Sequence, residues 1–73
     1  MPRDIHPSAV VDPEARLGES VRIGPFCVVG AGVVLGEDVE LVSHVSIVGR
    51  TTVGDGSVVY PFAALGHAPQ DLT

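Results

Sequence analysis

Apolar residues recur along this chain every six positions. Cut from Ile5, the sequence falls into eleven uninterrupted hexads, and the first place of each is Ile, Val or Leu, from Ile5 to Leu65. The fifth place is small or β-branched in ten of them (Ala9, Ala15, Val21, Cys27, Val33, Val39, Val45, Thr51, Ser57 and Ala63), and only Pro69 departs. A fifth place and the next first place lie two residues apart, so both point to the same side of a short strand while the sixth place between them points outward. The third and fourth places carry corner chemistry. Pro7, Pro13, Pro25 and Pro61 share the third, and Gly32, Asp38 and Gly56 stand at the fourth, where a left-handed backbone is cheapest. Each hexad thus predicts one short strand and one corner. A 3.6-residue period is absent, which excludes a helical reading. A strand this short cannot bury its inner face alone and requires copies of itself stacked above and below.

The pattern resembles that of the hexapeptide-repeat proteins. That resemblance implies an all-β fold, a left-handed parallel β-helix with three hexads to each 18-residue coil, a hand opposite to the usual crossover rule. Eleven hexads then make about three and two-thirds coils. At this offset the first places align into aliphatic columns: Ile5, Ile23, Leu41 and Val59; Val11, Val29, Ile47 and Leu65; Leu17, Leu35 and Val53. A dry triangular core requires such columns.

Composition narrows the partners. Four Arg against nine Asp and Glu give a formal charge of −5, which argues against a nucleic-acid or anionic-membrane surface. With 45% hydrophobic residues the chain is not composed like a disordered one. At 73 residues it is one domain at most, and marginal as a compact globule. No apolar run approaches a membrane span, and Met1-Pro2-Arg3-Asp4 has no apolar signal core. The lone Cys27 cannot form an intrachain disulfide; in a fifth-place column with Ala9, Val45 and Ala63 it reads as a small buried hydrophobe. A cytoplasmic location is the resulting expectation.

Several motifs are explained by the repeat. Gly30-Ala31-Gly32 suggests a dinucleotide loop, but Leu35 stands where the third Gly belongs and no helix follows. His6, His44 and His67 occupy three different phases without a close pair, so no metal and no cofactor is expected. Glu14, Glu19, Glu37, Asp38 and Asp55 fall mostly at corners and read as solvated turns, and His44 as an outward corner residue. No nucleophile and base are brought into reach by the pattern.

One side differs from the other two. Its fourth-place column reads Ser8, Phe26, His44, Phe62, and its second-place column His6, Gly24, Val42, Tyr60, so it holds every aromatic in the chain. Its outward sixth places, Val10, Val28, Ser46 and Ala64, carry no charge, whereas the other sides carry Arg16, Arg22 and Glu40 there. An apolar stripe of this kind predicts burial against a partner, with an ordinary exposed patch as the plainer alternative.

The wording of the hexads resembles a narrower family. Ile5-His6-Pro7-Ser8-Ala9, Ile23-Gly24-Pro25-Phe26-Cys27-Val28-Val29-Gly30, Ser43-His44-Val45, Tyr60-Pro61-Phe62-Ala63 and Pro69-Gln70-Asp71-Leu72 are similar to the acyl-(acyl-carrier-protein)–UDP-N-acetylglucosamine O-acyltransferases. The related N-acyltransferases open with a separate domain, whereas here the repeat begins at residue 5. The resemblance implies an enzyme of lipid A biosynthesis, a cytoplasmic homotrimer with active sites between prisms. Its partners would be an acyl carrier protein bearing a 3-hydroxyacyl chain and UDP-N-acetylglucosamine, whose 3-hydroxyl is acylated.

By the same resemblance Gln70, Asp71 and Leu72 contact substrate, and Thr73 replaces the Lys usual in the family. The general-base His of the family lies beyond Thr73, so no catalytic residue is assigned within the chain, and His6, His44 and His67 do not match it. Residues 1–73 are expected to be a single β-helix segment, the amino-terminal part of a longer β-helical domain and inactive alone. A non-catalytic scaffold or trimerisation module, or another hexapeptide O-acetyltransferase using coenzyme A, is the alternative.

Overall fold

The computed structural model describes residues 4–66. It contains eleven strands of two residues each, one per hexad: β1 Asp4–Ile5, β2 Val10–Val11, β3 Arg16–Leu17, β4 Arg22–Ile23, β5 Val28–Val29, β6 Val34–Leu35, β7 Glu40–Leu41, β8 Ser46–Ile47, β9 Thr52–Val53, β10 Val58–Val59 and β11 Ala64–Leu65. Every strand is a sixth place followed by a first place, outward then inward, as the alternation of a pleated strand demands. The strands assemble into three parallel sheets, β1-β4-β7-β10, β2-β5-β8-β11 and β3-β6-β9. This is the expected parallel β-solenoid.

Each strand pairs with the one 18 residues on. Ile5 lies opposite Ile23, Ile23 opposite Leu41 and Leu41 opposite Val59. Val11, Val29, Ile47 and Leu65 align on the second side, and Leu17, Leu35 and Val53 on the third. Around each strand, N–H groups of one coil donate to carbonyls of the next, as from Arg22 to Val39 at 2.9 Å and from Gly24 to Leu41 at 2.8 Å.

The core lies in the middle coils. Val21, Ile23, Cys27, Val29, Val33, Leu35, Val39, Leu41, Val45, Ile47 and Val53 are buried, and no polar side chain among the described residues is buried with them. Cys27 is fully enclosed, as expected for a small hydrophobe in the fifth-place column. Val11, Leu17, Val59 and Leu65 pack on the core only partly, and Ile5 remains 41% exposed. Ile5 keeps the inward register expected of a first place without being enclosed. Its ladder neighbour is Ile23 on one side alone, and enclosure needs a coil on both.

The corners use two kinds of hydrogen bond, and the corner from Gly54 to Ser57 makes both. In one, the fifth-place N–H closes the turn on the second-place carbonyl: Ala9 to His6, Ala15 to Asp12, Val33 to Gly30. In the other, a left-handed fourth-place residue donates its N–H to the preceding coil's corner: Asp38 to Glu19, His44 to Pro25, Phe62 to His44. Asp38 and Gly56 take the left-handed backbone expected of them, with φ of 57° and 73°. Gly32 does not. Its corner is closed by the Val33 bond, and its need for glycine is proximity, since a Cβ there would come within 2.8 Å of the Gly49 carbonyl oxygen.

Candidate functional site

The corner leading into the β2-β5-β8-β11 sheet is the most unusual surface of the molecule. Phe26, His44 and Phe62 all hold left-handed backbones there, with φ of 59°, 52° and 67°. Bulky residues adopt this conformation at a penalty of about 1–2 kcal/mol each. Two features hold them in it. The N–H groups are taken up by the coil before, Phe26 donating to Ser8 Oγ and His44 to the Pro25 carbonyl, both at 3.0 Å. The rings also meet, tilted by 32° with centroids 5.1 Å apart from Phe26 to His44 and stacked with centroids 5.0 Å apart from His44 to Phe62. One ring per coil thus makes a continuous aromatic ridge.

The ridge faces outward. Phe26 is 61% exposed and Phe62 81% exposed, with Tyr60 beside them at 71%. The sheet that follows presents exposed Val10, Val28 and Ala64 and half-buried Ser46. These are the residues that the sequence grouped on one uncharged side, and the structure brings them together. Their stacking and their backbone conformation were not read from the sequence. The available signal was the fourth place itself, where an aromatic must turn left-handed whenever its N–H reaches back to the previous coil.

The remaining polar groups near the ridge serve the corners. His6 Nδ1 lies 2.9 Å from Ser8 Oγ, but the same hydroxyl accepts the Phe26 N–H and the same imidazole nitrogen accepts the Ser8 N–H. This pair shapes a turn in open solvent. Around the next edge a shallow groove is bounded by Asp4, His6, Arg22 and Glu40, with Arg22 donating to Glu40 at 3.0 Å. That bond is an exposed ion pair along the sheet, worth at most about 1 kcal/mol. His44 sits outward at its corner, as expected, and Ser43 Oγ lies 3.2 Å from its Nδ1.

Gln70, Asp71 and Leu72, assigned to substrate contact by resemblance, lie outside the described residues, as do His67 and Thr73. Among the described residues no helix is long and apolar enough to cross a membrane.

The chain matches the bacterial transferase hexapeptide (six repeats) family over residues 14–49. It is 71% identical over 68 residues to the acyl-[acyl-carrier-protein]–UDP-N-acetylglucosamine O-acyltransferase of Anaeromyxobacter sp. (strain Fw109-5), covering 93% of this chain and 26% of that protein. The protein of the same name from Halorhodospira halophila (strain DSM 244 / SL1) is 67% identical over 66 residues, 90% of this chain and 26% of its own length. That of Chlamydia caviae (strain ATCC VR-813 / DSM 19441 / 03DC25 / GPIC) is 42% identical over 69 residues, 94% of this chain and 25% of its own length.

The fold matches a crystal structure of UDP-N-acetylglucosamine acyltransferase with a TM-score of 0.89 at 45% identity, covering 94% of this chain and 27% of that one. Solenoids of opposite hand could not superpose this closely, so the two wind alike. The chain spans about a quarter of the length of the curated relatives it matches. The resemblance read from the hexads is borne out.

Proposed function

We propose that this hexapeptide-repeat chain, similar over nearly all of its length to UDP-N-acetylglucosamine acyltransferases, is one segment of such an enzyme and supplies part of its acceptor site. In the proposed reaction the 3-hydroxyl of UDP-N-acetylglucosamine attacks the thioester carbonyl of a 3-hydroxyacyl chain on acyl carrier protein. A C–O bond forms, the C–S bond breaks, and the hydroxyl proton ends on the departing thiol. The reaction is the first step of lipid A biosynthesis and places the enzyme in the cytoplasm. Gln70, Asp71 and Leu72 hold the acceptor. A histidine of the family, matched by none of His6, His44 and His67, takes the hydroxyl proton, a task suited to an imidazole near neutral pH. Residues 1–73 form the amino-terminal part of the longer β-helical domain and do not turn over alone.

The observation that carries this reading is the 71% identity over 93% of the chain to a protein bearing that enzyme's name, joined to a TM-score of 0.89 with a solved one. The proposed assembly is a homotrimer, with the uncharged side turned toward a neighbouring copy. A chain of formal charge −5 repels its own copies, so self-association favours the side whose outward places are Val10, Val28, Ser46 and Ala64.

The test is a chimera in which residues 1–73 replace the matching stretch of the Anaeromyxobacter relative. Acyl transfer to UDP-N-acetylglucosamine at a rate within about tenfold of the parent supports the reading. A folded chimera without turnover contradicts it and favours a scaffold that has lost its acceptor contacts.

A further inference from the structure

The backbone departs from the repeat at Gly66. Among the described residues it is the one left-handed second place, with φ of 76°. Gly49, one coil below at the same corner, is likewise the one left-handed third place, with φ of 70°. The two backbones lie against each other, since a Cβ on Gly49 would stand 3.4 Å from the Gly66 carbonyl oxygen. The place of a Cβ on Gly66 is itself taken by the Val48 carbonyl oxygen and the Thr51 hydroxyl. That hydroxyl donates to the Val48 carbonyl at 2.8 Å, and the Val48 N–H donates to the Leu65 carbonyl at 3.1 Å. Gly66 thus rests on a seat made by Val48, Gly49 and Thr51, where both its angle and its space require glycine.

The sequence gives a reason for leaving the coil here. Continued in phase, the hexad that begins at Leu65 would put Pro69 at a fifth place, where other corners use an N–H that proline lacks. The next first place would be Asp71, in the column of Leu17, Leu35 and Val53. A carboxylate in that dry column has no partner and is costly to bury.

We propose that Gly66 is a positioning residue for acceptor binding: its turn on this seat sets where Gln70 and Asp71 stand, a few residues further along the chain. The inference rests on the reading that these two residues hold UDP-N-acetylglucosamine. Misplacing a substrate-holding group by about 1 Å can cost about a hundredfold in rate, so a side chain that lifts Gly66 off its seat acts on the substrate without touching it.

Steady-state kinetics of the chimera with the Anaeromyxobacter relative tests this. Gly66→Ala should raise KM for UDP-N-acetylglucosamine by about tenfold or more and leave KM for the acyl carrier protein thioester within about twofold. Loss of folded enzyme lowers the apparent kcat but does not move KM, so this split separates positioning from stability. Gly54→Ala, at a second place with no neighbour within 4 Å, should match the unsubstituted chimera. Thr51→Val keeps the β-branch but sets a methyl against the Val48 carbonyl; it should raise the same KM by about threefold or more, and Thr51→Ser should restore it. An unchanged KM for UDP-N-acetylglucosamine in Gly66→Ala, or an equal rise for both substrates, would overturn the inference. Should Gly66→Ala not fold, an unchanged KM in Thr51→Val overturns it instead. If Gln70→Ala and Asp71→Ala alter the kinetics while Gly66→Ala does not, only this inference fails. If Gln70→Ala and Asp71→Ala leave the kinetics unchanged, or the chimera does not turn over, the acceptor reading fails and this inference with it.

Discussion

Gly24 and Val42 stand one coil apart at the same corner, and the place where a Cβ of Gly24 would sit is taken by the Val42 carbonyl oxygen. The coils approach so closely there that the side chain is excluded whatever the backbone angle. Gly54 occupies the same second place in another hexad, has no such neighbour within 4 Å among the described residues and does not carry a left-handed backbone. Gly24→Ala should therefore destabilise by more than about 2 kcal/mol through overpacking, whereas Gly54→Ala should be near neutral or slightly stabilising. Urea unfolding of the two variants, followed by circular dichroism, separates them. Equal midpoints would contradict the close approach.

The legible part of this fold is its period. Ile, Val and Leu at every first place align into the columns that the strand pairings confirm, because a mismatch in one coil is felt by the coils on both sides of it. Corner conformation was less legible. Gly32 and Gly56 share a phase, yet only Gly56 is left-handed; its N–H reaches back to the Glu37 carbonyl of the preceding coil although its corner also closes on itself from Ser57 to Gly54. The aromatic stack was readable as a column of residues but not as touching rings. Ring contact depends on the left-handed backbone at Phe26, His44 and Phe62, which their residue types disfavour. The proposed substrate contacts at Gln70, Asp71 and Leu72 rest on resemblance alone, because periodicity says nothing about chemistry.

In the chimera with the Anaeromyxobacter relative, Gln70→Ala and Asp71→Ala should each raise KM for UDP-N-acetylglucosamine or lower kcat/KM by about tenfold or more, the effect of losing one good hydrogen bond to substrate. Their effect on thermal stability should be small. Unchanged kinetics in both variants would remove these residues from the acceptor site.

The 73-residue chain alone should show no acyl transfer above a no-protein control when given acyl carrier protein thioester and UDP-N-acetylglucosamine. Measurable turnover would mean that a general base lies among its own residues, with His6, His44 and His67 the candidates to test by substitution with Gln.

Phe62→Glu in the chimera should weaken self-association and lower activity together, because it sets a charge on the aromatic ridge. Arg16→Glu, on the β3-β6-β9 side, should change neither by more than about twofold, as for most exposed substitutions. Sedimentation velocity and the acyl-transfer assay read both variants. A trimer that survives Phe62→Glu would move the interface to another side.

The aromatic ridge and the proposed assembly through it rest on one register, in which Leu41 points into the prism between Ile23 and Val59 and Glu37 stands at a corner. Leu41 is 1% exposed, and aspartate there buries a charge with no partner, a loss of several kcal/mol, about as much as a domain of this size has in total. Glu37 is exposed and contributes backbone bonds alone, its N–H to Asp55 Oδ1 and its carbonyl to Gly56, so Glu37→Ala should stay within about 0.5 kcal/mol of wild type. Thermal unfolding followed by circular dichroism decides between them: the register predicts an unfolded Leu41→Asp chain beside a wild-type-like Glu37→Ala chain, and equal tolerance of the two substitutions would contradict it.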